Sequence, residues 1–425
     1  LAALSPQLPL TRLSGHATLQ TQGLDRPAAL SATLDNSLPG PWDAGRLPLR
    51  QLQLQASGRP DQTDRLVLDG FQLLLGDAAG SAGRISGQGS WQGDALALDL
   101  QATQLQPARL HRSAAAIELG GPLTLRLRGL PTAARPKADS AAPTPTLAVD
   151  AQLSGRWQGT AGLPVQLRLV AEASASHLQI DQAEARAGSA LARLSGQARA
   201  EGQGWRVAGQ ATLADFDPRP WWRGPEGSTW RRGPHRLQAE ASAQLLWRPA
   251  PATRAGELAI DRLLAAVNGQ AQLSLGDSLL AGVPLSGNLA LQSQGAAAQL
   301  QAELNIGGNR ISLQGQGGGA PAADRWDASV QAPTLATLAP LRALLAELSP
   351  GSASALDQAW PKAGTLQASL QTQGRWPELQ TQGRLQAAQL ASSSLQPQQA
   401  ELSWRLGTRR DAALQLTLSA QGLRS

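Results

Sequence analysis

The chain reads as an all-β protein: a long antiparallel, twisted sheet folded into an open tube or trough, a β-taco, with an apolar groove and one or two short helices. Three observations predict it. Apolar and polar residues alternate with a period of two from one end of the 425 residues to the other. Glycines punctuate the alternating runs. The apolar positions are filled by Leu and Ala, with 2 Phe and no Tyr to build a close-packed core.

Taken in order, ALALDLQA at 95–102 puts Leu96, Leu98 and Leu100 on one face, and LTLRLRG at 123–129 sets Leu123, Leu125 and Leu127 against Thr124, Arg126 and Arg128. From 165, Val165, Leu167 and Leu169 continue the scheme; from 299, Leu300, Leu304 and Ile306 do so. Leu366 and Leu370 follow, then Leu414, Leu416 and Leu418. These are the candidate lining residues of the groove. Leu, Gln and Ala are weak strand formers, so the alternation carries the assignment rather than propensity. Ile306-Gly307-Gly308-Asn309 between two such runs predicts a tight hairpin.

A loose internal repeat accompanies the strands. Leu68-Asp69, Ile180-Asp181 and Ile260-Asp261 each open a segment with small or apolar residues at alternate positions, closed by Gly76, Gly188 and Gly269. Two copies continue into Arg84-Ile85-Ser86-Gly87-Gln88 and Arg193-Leu194-Ser195-Gly196-Gln197. The spacing is irregular, which excludes a fixed-period solenoid. One helix is predicted, because Leu335, Leu338, Leu341, Leu344, Leu345 and Leu348 keep helical spacing between Pro340 near the start and Ser349-Pro350-Gly351 at the stop. The organisation is therefore strand segments at 1–130, 147–213, 237–331 and 365–425, separated by a Pro/Ala-rich loop (131–146), a Trp/Pro/Gly-rich insert (214–236) and a helical insert (332–364).

The composition removes most chemistry. Without Cys there is no thiol nucleophile, disulfide or Cys-based metal site, and four scattered histidines build no metal centre; no metal or cofactor is expected. Ser176-His177 near Asp181 is the nearest approach to a nucleophile and base, and on alternating strands it reads as a turn beside a polar face. No phosphate-cradling loop or nucleophile elbow occurs, so no enzyme is expected. The pI of 11.0 reflects the absence of groups titrating between neutrality and the Arg range; the net charge is only +6. Arg231-Arg232 and Arg409-Arg410 read as solvated faces. Most of the 12 Trp stand beside Gly, as at Gly89-Ser90-Trp91 and Gly155-Arg156-Trp157, and read as strand-end plugs or edge covers rather than base-stacking platforms. No nucleic-acid partner is expected, and no stretch approaches the ~18 apolar residues of a membrane helix.

Some 25 strands of about ten residues would make a sheet on the order of 120 Å by 30 Å, and no comparable helical layer could cover its apolar face. That face must pack on a second sheet, close into a barrel, or meet a ligand in a trough. A membrane barrel expects aromatic girdles, and a dry sandwich favours bulky Val, Ile and Phe. A loose Leu/Ala lining suits a mobile acyl chain.

Asp215-Phe216-Asp217-Pro218-Arg219-Pro220-Trp221-Trp222, then Gly224-Pro225-Glu226-Gly227 and Trp230-Arg231-Arg232-Gly233-Pro234-His235-Arg236-Leu237, resemble the central part of the TamB family, the AsmA-like translocation and assembly module proteins of Gram-negative bacteria. The Leu-Ser-Gly strand units and Ala332-Pro333-Thr334-Leu335 resemble the same family. The resemblance implies a periplasmic β-taco, anchored in the inner membrane by an N-terminal part and engaging the outer-membrane barrel TamA through a C-terminal domain. It further implies carriage of phospholipids, by their acyl chains, between the two membranes, linked to outer-membrane protein assembly or secretion. A passive β scaffold or chaperone for that assembly, without lipid transport, is the alternative. Together with the missing Met, the resemblance leads us to expect a central segment of a longer chain, whose terminal parts make the membrane and TamA contacts.

Overall fold

A computed structural model describes residues 9–62, 64–130, 144–158, 162–219, 221, 227–248, 266–294, 297–318, 324–348, 362–375, 378–391, 398–409, 412 and 414–422. The 131–143 part of the predicted loop, residues 260–265 of the third repeat copy and the Ser349-Pro350-Gly351 stop lie outside them. The fold is all-β and antiparallel. Leu1–Gln197 with Pro220–Arg223 form one compact unit, and Ala198–Arg219 with Gly224–Ser425 a second.

In the first unit the strands are β1 (Leu13–Gln20), β2 (Ala28–Asn36), β3 (Leu49–Gly58), β4 (Arg65–Asp77), β5 (Gly80–Gln92), β6 (Ala95–Leu105), β7 (Ile117–Arg128), β8 (Thr146–Trp157), β9 (Pro164–Ser174) and β10 (His177–Ala187). Each pairs antiparallel with its chain neighbours, from β1 with β2 to β9 with β10. A one-turn helix, α1 (Pro107–Leu110), joins β6 to β7. β11 (Ala190–Glu201) leads on to the second unit.

The second unit holds β12 (Gly204–Phe216), β13 (Leu237–Trp247), β14 (Val267–Leu280), β15 (Val283–Gln294), β16 (Ala297–Ile306), β17 (Asn309–Gly317), β18 (Arg325–Ala332), β19 (Ala363–Gln373), β20 (Gln380–Ala391), β21 (Gln399–Gly407) and β22 (Gln415–Gln421). They too pair in chain order, from β12 with β13 to β21 with β22. The sheet is not closed into a barrel. The described residues of this unit also include the short helices α2 (Thr229–Arg232) and α3 (Ala339–Leu348) and a 3-10 turn at Leu335–Leu338; another 3-10 turn, Trp42–Ala44, belongs to the first unit. The predicted helix is therefore present, with a 3-10 first turn ahead of Pro340.

The predicted hairpin forms at Gly307-Gly308, whose φ angles of 59° and 82° are the left-handed pair a two-residue turn requires. Asn309, buried just after it, donates from Nδ2 to the Ile306 carbonyl at 2.9 Å and the Thr334 carbonyl at 3.2 Å, and accepts from the Thr334 amide at 3.2 Å. One side chain thus ties the turn to the start of the helical insert.

The Leu-Asp repeat marks β-bulges. In β4, Leu68 lies opposite Gly89 and the next matched residue is Phe71, opposite Gly87, so Asp69 and Gly70 stand against Gln88 alone; on the β3 side Gly70 faces Gln55 and Leu68 faces Ala56, which makes Asp69 the surplus residue. In β10, Ile180 faces Ala171 and Gln182 faces Val170, leaving Asp181 unmatched. A one-residue slip would exchange the two faces of a strand, and a bulge absorbs it. Leu66 and Leu68 before the β4 bulge and Phe71, Leu73 and Leu75 after it consequently share one face, although their sequence parity changes.

The tryptophans do more than plug strand ends. A Cβ at Gly317 would stand 3.0 Å from the Trp326 ring, and one at Gly315 would overlap that ring's edge. Trp404 lies the same way over Gly383. These rings cover cross-strand glycines on the Leu/Ala face, a register relation that adjacency in sequence did not disclose.

A packed cluster of Ala115, Ile117, Leu119, Val165 and Ala187, with Leu105, Leu153, Trp157, Leu167 and Trp221 against it, closes one rim of the first unit. Gly155 lies between Leu119 and Val165 in the register, and a Cβ there would fall inside the Glu118 carbonyl. Because backbone, not a movable side chain, occupies that space, Gly155→Ala should cost about 1–3 kcal/mol or more, read as a lower urea midpoint at unchanged slope.

Candidate functional site

The register brings the predicted lining residues of the first unit together. Leu96 faces Leu127, Leu98 faces Leu125 and Leu100 faces Leu123. Across β7 these rows continue to Leu147, Val149 and Ala151, and Ala151 faces Leu169. The result is a grid of Leu, Val and Ala on one side of four strands, half-buried over most of its area. Leu167 faces Leu153, at the edge of the grid. Val165 lies inside the packed cluster, where it is 1% exposed.

In the second unit Leu300 lies between Leu291 and Gly315, Leu304 between Gly287 and Ile311, and Ile306 between Leu285 and Asn309. Leu366 lies between Ala332 and Ala387, and Leu370 between Ala328 and Gly383. Leu416 and Leu418 face Trp404 and Leu402 from β22, and Leu414 precedes that strand; all three are exposed, without the lateral shielding of the others.

The opposite face is polar and internally neutralised. Arg126 reaches Asp99 at 2.8 Å and Arg168 reaches Asp150 at 2.7 Å. Glu184 accepts from Arg186 and Arg193, and these bonds hold its carboxyl below the usual range. Exposed pairs of this kind add little stability, but they keep the face wet and fix its sidedness. A cavity of about 1100 Å³ in the second unit is bordered by polar residues of two adjacent rows, Gln301, Gln314, Asp327 and Gln371, and Glu303, Ser312, Ser329 and Ser369. Ala302, Leu313, Ala328, Trp404 and the predicted lining residues Leu370, Leu414 and Leu416 are also among its walls.

No catalytic arrangement forms around the residues singled out for one. Asp181 is the bulge residue of β10 and accepts from Gln179, while His177 opens the same strand and Ser176 stands in the turn before it. Among the described residues no three His, Asp or Glu are grouped to hold a metal, and no helix is long and apolar enough to cross a membrane.

Sequence reasoning missed the asymmetry of the grid, since at its closed rim Trp157, at the end of β8, packs against the cluster together with Trp221, which comes from outside the alternating runs. At that rim Arg109 bonds Asp77, and this, with the Ala79 amide, keeps the Asp77 carboxyl below its ordinary value against the opposing effect of burial. Because the folded pKa is depressed, the stabilisation is present above the unfolded value of about 4 and lost as pH falls through the folded value. Amide exchange in the β4–β5 turn and α1 should therefore accelerate below about pH 4, and Asp77→Asn should abolish that step.

No protein-family model matches this chain, and no curated protein or solved structure is significantly similar to it.

Proposed function

We propose that the Leu/Ala face carries the acyl chains of phospholipids, and that the protein acts as a section of a periplasmic bridge between inner and outer membranes, as its resemblance to the TamB family implies. The observation that supports this is the continuity of the face. The bulges keep apolar residues on one side across strand after strand, yet the side chains there are half-buried and have no covering layer among the described residues. Apolar burial contributes roughly 25 cal/mol per Å² and has no direction, so a chain can slide along such a face with little change in energy. No residue performs chemistry on the cargo. The decisive experiment is purification, organic extraction and mass spectrometry: at least one phospholipid per protein is expected, and a protein still lipid-free after incubation with vesicles would overturn the reading.

A second reading, support of outer-membrane strands by edge pairing, is favoured by β22, which is exposed along its whole length. It requires Leu416→Pro to abolish assembly support, because proline removes an edge donor, while lining substitutions leave that support intact.

A further inference from the structure

His235, 5% exposed, joins the Trp/Pro/Gly-rich insert to the turn between β14 and β15. Its Nδ1 accepts from the Ala281 amide at 3.0 Å, and its Nε2 lies 2.7 Å from the Trp230 carbonyl. A backbone amide only donates and a carbonyl only accepts, so these two contacts fix the neutral tautomer with its proton on Nε2. On either side of His235 the insert is bonded to the same hairpin. The Gly282 amide donates to the Pro234 carbonyl at 2.9 Å, and Arg236 and Leu279 exchange backbone bonds of 2.9 and 2.7 Å. The Trp230 ring lies 5.0 Å from the imidazole, between centroids.

The turn gripped in this way is one that needs support. Ala281 and Gly282 have φ angles of 51° and 78°, and a residue with a Cβ enters the left-handed region reluctantly. The β16–β17 hairpin meets the same demand with two glycines, Gly307 and Gly308. Here an alanine is held there, buried, with its amide on the imidazole. A second proton on the ring would make Nδ1 a donor pointed at an N–H in a buried site, and both groups would be left unsatisfied. The charged groups on the surrounding elements do not receive that proton. Arg231, Arg232 and Arg236 are cations; Asp217 is bound by Arg219; Glu347 of α3 accepts from the Thr229 amide at 2.9 Å; Asp277 of β14 is exposed. We propose that His235 is an acid-operated latch: with the ring neutral it clips the 229–236 segment to the β14–β15 turn, and its protonation releases both.

Release takes up a proton that the closed form does not bind, so the latch is closed at neutral pH and opens as pH falls. An ordinary imidazole titrates near about pH 6.5. Uptake of one proton on release therefore lowers the protection of the Ala281 and Gly282 amides, corrected for the intrinsic pH dependence of exchange, about thirtyfold between about pH 7.5 and about pH 5. Amide hydrogen exchange of the whole chain reads this directly. The Gly307 amide, which donates to the Pro284 carbonyl beside the neighbouring hairpin, should keep its protection over the same range. His235→Gln, whose side-chain oxygen can accept from Ala281 but takes up no proton, should remove the pH dependence. The imidazole nitrogen resonances of the unaltered protein give a check that needs no variant: His235 should carry its proton on Nε2 when neutral, and its protonation should track the loss of protection. Constant protection down to about pH 5, an equal fall in His235→Gln, or protonation of His235 without loss of protection would each overturn the latch.

Discussion

A Leu125→Arg protein should fold and reach normal levels yet pass almost no phospholipid. Leu125 sits in the middle of the grid, with Leu98 on one side and Val149 on the other. It is half-buried, so the fold loses only part of one leucine's burial, about 1–2 kcal/mol, and the long arginine stem recovers some of the contact. The cargo is affected far more. An acyl chain crossing that point would strip water from an unpaired guanidinium, and a charge in hydrocarbon surroundings costs about 2.5–3.5 kcal/mol even with snorkelling. That corresponds to a fall of about a hundredfold in the rate of lipid transfer between donor and acceptor vesicles. The matched control is Thr124→Arg, one residue away on the opposite face and opposite both Asp99 and Asp150. It should transfer lipid normally. Equal transfer by both variants would show that the Leu face is not the path.

Deleting Asp181 should leave the protein folded, whereas deleting Arg168, on the partner strand, should not. Asp181 is the surplus residue of a bulge, so its removal turns Ile180, Gln182 and Ala183 into a regular strand with Ile180 and Ala183 still on the Leu/Ala face. β9 has no surplus. Without Arg168 the residues on one side of the gap exchange faces, sending either Leu169, Ala171 and Ala173 or Val165 and Leu167 to the polar side. At roughly 1.5–3 kcal/mol for each fully buried large side chain, and less for half-buried ones, the second deletion should cost about 3–5 kcal/mol. Urea unfolding of the two variants side by side would decide it; equal destabilisation would mean that the bulge has a packing role beyond absorbing a residue.

These two results separate what alternation reveals from what it hides. Period-two patterning placed Leu96, Leu125 and Leu167 on one face because sidedness is a local property of a strand. The Leu-Asp repeat was visible too, but only pairing identified its two described copies as bulges, since a surplus residue is defined by its partner strand. The hairpin at Gly307-Gly308 was legible because its conformation demands those residues. The burial of Val165 was not, because it depends in part on where Trp221, outside the alternating runs, comes to rest after the chain folds. For the same reason the pairing of Trp326 with Gly315 was hidden: the two are joined by register across β17 and β18, not by proximity in the chain.

The rings laid over Gly315, Gly317 and Gly383 also make the protein an optical instrument. Trp404 is held by a hydrogen bond from its Nε1 to Thr381 at 3.3 Å, and with Trp326 it lies on the side along which an acyl chain would travel. The sequence contains no Tyr to share the excitation, so emission excited above the Phe band is indole emission, to which these two rings contribute among the 12 Trp. Heavy-atom quenchers placed at different depths of a lipid tail would darken these two indoles to different degrees. The residues that smooth the face would thereby report which part of a tail is passing, with no dye attached.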